Sequence, residues 1–397
     1  MNRTLHRRLL GLLTGLLLML TCITAAVPQL TPAAASTDYP ALLLRISTYD
    51  NARNLNISGT ADKSPLNTWT TNGVLNEDWR FDRVGSDSNG TYFKIVNQGT
   101  GRLITPMGYE AAEGTDAVIF GSESHRTQHW YVVPVQQDGL GNDLYYKITN
   151  YEDPDLALTY QSSSNTVTLS KYTGANTQKW LLNAAGLQGF AGYSKDMKGN
   201  AKASAVGGLF GETVEVTTFD ELKAACTAPE PKTILITKNI SGKTGSSNYK
   251  ISTGYDNGQR YYCPDDYIYL QPNKTIIGSY NANTLYNVYF RTYNENYGPA
   301  YNVIIRNIDC THDTELNTDN IWEFAYGWNF WIDHCYLEGH DQIETSSLGS
   351  DDWDKFLNFK GTTDFITISS CRFGHHEYGV LLGYPTDDEE TYKTYDG

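Results

Sequence analysis

Between Trp331 and Gly383 the apolar residues come in short runs, FWIDH, FLNF and FITIS, each broken at Gly, Asp or Ser before a helical period can develop. Runs of this length, dense in β-branched and aromatic residues, predict strands. The pattern extends upstream through ILITKNI, YIYLQPNKTIIG, NVYFRTY and NVIIRNI. A spacing of about 20 to 30 residues per recurrence suits a solenoid of stacked parallel strands, with carboxylates displayed on the turns. Only Thr218 to Ala225 carries apolar residues at helical spacing behind a capping residue, Thr218 or Asp220, and predicts a helix.

A different pattern occupies Tyr39 to Asn183. Three units open on Leu44-Arg45-Ile46-Ser47, Phe93-Lys94-Ile95-Val96-Asn97 and Tyr146-Lys147-Ile148-Thr149-Asn150, and close on Glu77-Asp78-Trp79, Gln128-His129-Trp130 and Gln178-Lys179-Trp180. A period of about fifty residues with one aromatic anchor per unit predicts three pseudo-symmetric lobes around one core. These units resemble the ricin-type β-trefoil lectin with its Q-x-W repeats, and Glu77 departs from that pattern. The resemblance implies a carbohydrate-binding role. In the family an acidic residue follows the leucine of the first hairpin, where this chain has Asn56, Thr105 and Thr159. Asn56 can still donate to and accept from vicinal hydroxyls, so it is the candidate carbohydrate-binding residue, with galactose-containing glycans as the expected ligand. The tryptophans are expected in the core.

The first 35 residues read as a signal peptide: Arg3, Arg7 and Arg8 precede an apolar run from Leu9 to Leu20, and small residues follow at Thr24-Ala25-Ala26 and Ala33-Ala34-Ala35. The run is short for a bilayer span, so the protein is expected to be secreted and extracellular, without a membrane partner. The charge of −15 excludes nucleic acid as a partner and opposes unaided binding of a polyanionic sugar, which a bridging cation would resolve. Apart from Cys22, the cysteines are Cys226, Cys263, Cys310, Cys335 and Cys371, an odd number with no C-x-x-C pair. Cys310, Cys335 and Cys371 each follow a strand-like run and are expected to stack in neighbouring coils, as core residues or with one disulfide. The Gly, Ala and Ser-rich stretch from Ala184 to Gly207 marks the boundary between residues 36–185 and residues 186–397. GGLFGETVEV lacks the ending of a phosphate loop and leads into a strand.

WIDHC, then D-x-x-x-N-x-K-G from Asp354 to Gly361, DFITIS and a closing LLG, with NVIIRNI and KTIIG upstream, resemble the pectate lyase family. The resemblance implies a right-handed parallel β-helix, making the fold all-β, a β-trefoil followed by a β-helix. It also implies β-elimination on polygalacturonate: a base removes the C5 proton and the C4 glycosidic oxygen leaves, with Ca2+ stabilising charge on the uronate. Carried over by motif, the calcium ligands fall on Asp319, Asp354 and Asn358, the last normally an aspartate. Residues four apart on a flat strand lie about 13 Å apart, so Asp354 and Asn358 share one ion only if the chain bends near Lys355-Phe356.

Two departures bear on catalysis. Tyr378 occupies the position of the family's substrate-gripping lysine, and the arginine base of the family falls beyond Gly397, so the chain is expected to be a fragment, truncated at the C-terminal end of its β-helix. His375 and His376 are open alternatives as bases, whereas His334 is expected to be structural. A polygalacturonate hydrolase with grouped aspartates, and a non-catalytic pectin- or glycan-binding protein with a degenerate lyase domain, stand as alternatives. The expected state is a monomer.

Overall fold

The computed structural model describes residues 31–32, 38–242, 249–253, 260–264, 266–292, 296–312, 320–339, 355–376 and 378–384. Antiparallel strands from Leu44–Thr48 to Trp180–Ala184 form one sheet of twelve. Its symmetry is visible in hydrogen bonds. The fully buried indoles of Trp79, Trp130 and Trp180 donate to the carbonyls of Leu55, Ile104 and Leu158 at 3.0, 2.9 and 3.0 Å. The tryptophans are therefore core anchors. Gln128 and Gln178 each donate to a backbone carbonyl and to a threonine hydroxyl, Thr105 or Thr159, and accept one backbone N–H.

Glu77 takes the equivalent place in the first lobe, where its neighbours are donors. Its carboxylate accepts from the Gly73 N–H at 2.8 Å, the Asn72 N–H at 3.3 Å and Asn54 Nδ2 at 3.1 Å, with the Arg45 guanidinium 3.4 Å away. A buried anion with several donors and a counter-charge is compensated, which accounts for the break in the repeat.

Three sheets make the second unit, the parallel β-helix. Glu212–Val216, Lys232–Ile236, Lys274–Gly278, Ala300–Arg306, Gly327–Asp333 and Asp364–Ser369 pair in parallel to form the first. Thr31–Pro32 adds an antiparallel edge to it, which a leader ending at Ala26 would keep and one ending at Ala35 would remove. The second sheet runs from Ile240–Ser241 to Arg372–Gly374, and the third from Ile268–Tyr269 to Tyr378–Tyr384, each with five strands. Asn302, Asn307 and Asn329 have left-handed φ of 54°, 54° and 57°. Their side-chain amides bond neighbouring backbone: Asn302 Oδ1 accepts the N–H groups of Val206 and Gly207, and Asn307 Nδ2 donates to the Gly278 carbonyl. Asparagine tolerates this backbone because its short polar side chain bonds locally.

The helix Phe219–Thr227 begins with a capping box between Thr218 and Glu221 and buries Leu222, Ala225 and Cys226 against the first coils, as the sequence predicts. In the connector, a Cβ at Gly208 would sit 1.9 Å from the Lys232 carbonyl oxygen, so the Gly-Gly pair serves close passage beside the first sheet.

The cysteine expectation holds only in part. Arg372 N bonds the Cys335 carbonyl and Tyr336 pairs with Arg372, so Cys335 and Cys371 share one column. Cys310 instead lies opposite Leu337, two residues further along its coil. Cys226, Cys310, Cys335 and Cys371 are free thiols. The side chain of Cys263 lies outside the described residues.

The two units share a core. Ile304 and Trp331 of the first sheet belong to the same apolar cluster as Trp79, Trp130 and Trp180. Phe210 of the connector stacks on Tyr146 at 5.5 Å and meets Phe93 edge-on at 5.9 Å. Polar bonds seal the contact: Trp328 Nε1 donates to Asn142 Oδ1 at 2.9 Å, and Asn329 Nδ2 to the Ala203 carbonyl at 3.0 Å.

Lys274 is buried, and its ammonium donates to the carbonyls of Glu230 and Pro272 at 2.8 and 2.9 Å. Desolvation lowers its pKa from 10.5 to about 8. Below pH 8 the native protein carries this buried charge; above it the folded state releases a proton that the unfolded chain still holds, so stability rises with pH. Burial raises the thiol of Cys226 from 9.0 to about 12, which opposes that trend above pH 9. Denaturant midpoints should therefore increase between about pH 8 and 9. Lys274→Met should flatten this rise, and an unchanged slope would contradict the assignment.

Candidate functional site

The trefoil packs on the first sheet, and among the described residues none of the third sheet joins the shared apolar cluster. Along it, Arg291 pairs with Glu323, Glu323 with Asn358, and Asn358 with Leu381. Trp322, Phe324, Leu357 and Phe359, which flank this row, point into the β-helix core. Strand alternation therefore sets Glu323 and Asn358 on the outer face. Glu323 Oε2 is 3.0 Å from the Lys360 ammonium. Arg291 donates to the carbonyls of Phe290 and Ile321 and lies 4.5 Å from the centre of the Tyr267 ring.

Asn358 is only 4% exposed, and its Oδ1 is buried without a hydrogen-bond partner. An acceptor left unpaired in this way is costly unless something supplies positive charge. An amide oxygen next to the Glu323 row is a donor set suited to a hard, oxygen-seeking cation such as calcium, so the residues present fit that ion. Asp319 and Asp354 lie outside the described residues, each immediately before one member of the Asn320–Lys355 pair in the chain. Among the described residues no three His, Cys, Asp or Glu side chains group as a metal site.

Phe356 and Leu357 are both buried in the β-helix core, so strict alternation breaks near Lys355-Phe356. Lys355–Lys360 is laddered on both sides from Lys355, and its one register shift falls between Phe359 and Lys360. Tyr378 pairs with Lys355, and its side chain is 49% exposed.

The histidines divide. His334 sits at a corner of the first sheet with φ 51°, its Nδ1 2.8 Å from Asp333 Oδ2. Asp333 also accepts from Arg306 at 2.9 Å and from the Ser369 hydroxyl at 2.7 Å. Arg306 in turn donates to the Ala41 carbonyl of the trefoil at 3.3 Å. WIDH is thus a structural knot at the junction, away from the third sheet. His375 Nδ1 lies 2.5 Å from Glu338 Oε1, and His376 Nε2 lies 3.1 Å from His312 Nε2, both where the second sheet turns towards the third. Sequence reasoning passed over Glu323 and Lys360, although Trp322-Glu323-Phe324 alternates as an outward-facing carboxylate between core residues must.

In the trefoil, Asn56 is 3% exposed, and its Oδ1 accepts from the Ile57 N–H and Asn76 Nδ2, both at 2.7 Å. Thr105 and Thr159 are buried as well.

The chain is thus a trefoil unit docked on the first sheet of a parallel β-helix, with a polar row on the third. The family model for pectate lyase matches residues 167–396, and the chain belongs to that family. A model for the ricin-type beta-trefoil lectin domain-like family matches residues 75–172. A pectin lyase of Bacillus subtilis is 35% identical over 212 residues, 53% of this chain and 53% of its own. A pectate lyase of Emericella nidulans is 30% identical over 185 residues, 46% of each. The chain spans about half the length of the curated relatives it matches. The designed threefold protein ThreeFoil aligns with 35% of this chain and 96% of its own at 20% identity, with a TM-score of 0.31.

Proposed function

We propose that this protein is a secreted polysaccharide lyase that cleaves polygalacturonate by calcium-assisted β-elimination, with the third sheet as its substrate face. The unpartnered Asn358 Oδ1 on the Glu323 row carries the reading. Asp319, Asp354 and Asn358 hold the ion. A calcium ion held there would supply Lewis-acid stabilisation of the charge that develops on the uronate. Lys360, held by Glu323, keeps a cation on the row where a uronate approaches, and Tyr378 offers a ring and a hydroxyl in place of the family's lysine. An arginine would accept the C5 proton, as the resemblance to the family implies.

Asn358 also favours a second reading of the substrate. Loss of one ligand charge weakens the cation site, and a methyl-esterified uronate, already neutral, needs less cation. Pectin lyase is the name of the Bacillus relative. Comparing initial rates on esterified and de-esterified galacturonan separates the two readings: the calcium-assisted reading requires a chelator-sensitive preference for the de-esterified polymer, and chelator-insensitive turnover of the esterified one contradicts it. The trefoil binds glycan weakly in this account, through galactose-containing chains, with Asn56 as the hairpin residue to test by Asn56→Ala.

A further inference from the structure

A cavity of about 380 Å3 lies where the trefoil, the connector and the first β-helix coils meet. Its size is that of a small-molecule site, for which about 300 Å3 is the lower end. Val132, Tyr146 and Phe210 supply its apolar side, Tyr301 a further ring, and Gln137 and Asp143 a polar edge. Trp328 stacks on Tyr301 at 4.9 Å with the ring planes 3° apart, which holds Tyr301 in place and leaves its other face to the cavity. Asn302 is saturated by Asn273 and the connector backbone, so that wall is rigid.

We propose that this cavity is a binding site for a neutral saccharide unit, one or two sugars long, held between the two domains. An apolar wall of this kind suits the apolar side of a pyranose. Gln137 Nε2 donates to Asp143 Oδ1 at 3.2 Å, and this carboxylate and amide pair presents acceptors and a donor to adjacent hydroxyls. No Lys, Arg or His lines the cavity, and Asp143 is its one charged residue. A uronate would therefore meet a carboxylate with no counter-charge, which sets this site apart from the calcium face. The inference rests on reading the chain as a polysaccharide-handling protein, yet none of the residues lining the cavity belongs to the third sheet. It would hold an uncharged part of the polymer, or a neutral side chain, while the acidic backbone lies on the third sheet.

The test is titration of the full chain with galactose, galactobiose and galacturonate in the presence of a chelator, read by the fluorescence of Trp328 and by saturation-transfer NMR. Galactobiose should bind and galacturonate should not. Thr91→Phe, which fills the cavity, and Asp143→Asn should each weaken galactobiose by more than about tenfold with the thermal transition preserved. Absence of galactobiose binding, equal binding of galacturonate, or binding indifferent to both cavity variants would overturn the proposal. Because the chelator removes calcium-dependent binding, failure here is distinguishable from failure of the elimination reading.

Discussion

Replacing Asp319 and Asp354 together by alanine should weaken calcium binding by more than about a hundredfold, since even outer partners of metal ligands are worth ten- to a hundredfold. The two carboxylates match the metal pattern of the family, and Asn358 brings an amide oxygen that lacks a partner. Asn358→Asp should tighten binding by restoring a third charge on the Glu323 row. Calorimetric titration reads both effects. Unchanged affinity in a folded Asp319→Ala, Asp354→Ala protein, or weaker binding by Asn358→Asp, would remove the ion from this face.

Trp331→Ala should destabilise the whole chain by about 3–5 kcal/mol, the usual cost of emptying a large aromatic site. Trp331 is buried in the trefoil's own apolar cluster, donates to Ser369 Oγ at 2.9 Å and lies under the Arg306 guanidinium at 5.0 Å. Residues 36–185 should still fold alone, because their sheet closes on itself, but they should melt below the trefoil transition of the full chain. Without Ile304, Trp331 and Phe210, that core is left open on one side. Calorimetry decides: equal midpoints for the isolated and the joined trefoil would mean that the shared cluster contributes nothing.

The repeat of Trp79, Trp130 and Trp180 was legible because each lobe needs the same anchor, and the solenoid was legible because its strands are too short and too β-branched for helices. The junction was not. Trp331 opens the most recognisable motif in the chain, yet whether it faces its own coil or another domain depends on docking between distant segments. Register was similarly hidden: Cys310 follows a strand as Cys335 and Cys371 do, but a two-residue offset sends it to a different column. At the candidate site, alternation could have placed Glu323 outward, while the burial of Asn56 depends on Asn76, twenty positions away on another turn. The departure at Glu77 became intelligible only with its donors in view.

The central claim, calcium-assisted elimination on the third sheet, is tested most directly with the full gene product on polygalacturonate. Elimination leaves an unsaturated uronide that absorbs in the ultraviolet, whereas hydrolysis leaves only new reducing ends. Absorbance should rise in calcium, stop on chelation, and fall about a hundredfold to ten-thousandfold when the base is removed, the usual contribution of a positioned proton acceptor. Reducing ends without that absorbance, or no cleavage at all with calcium present, would contradict the account.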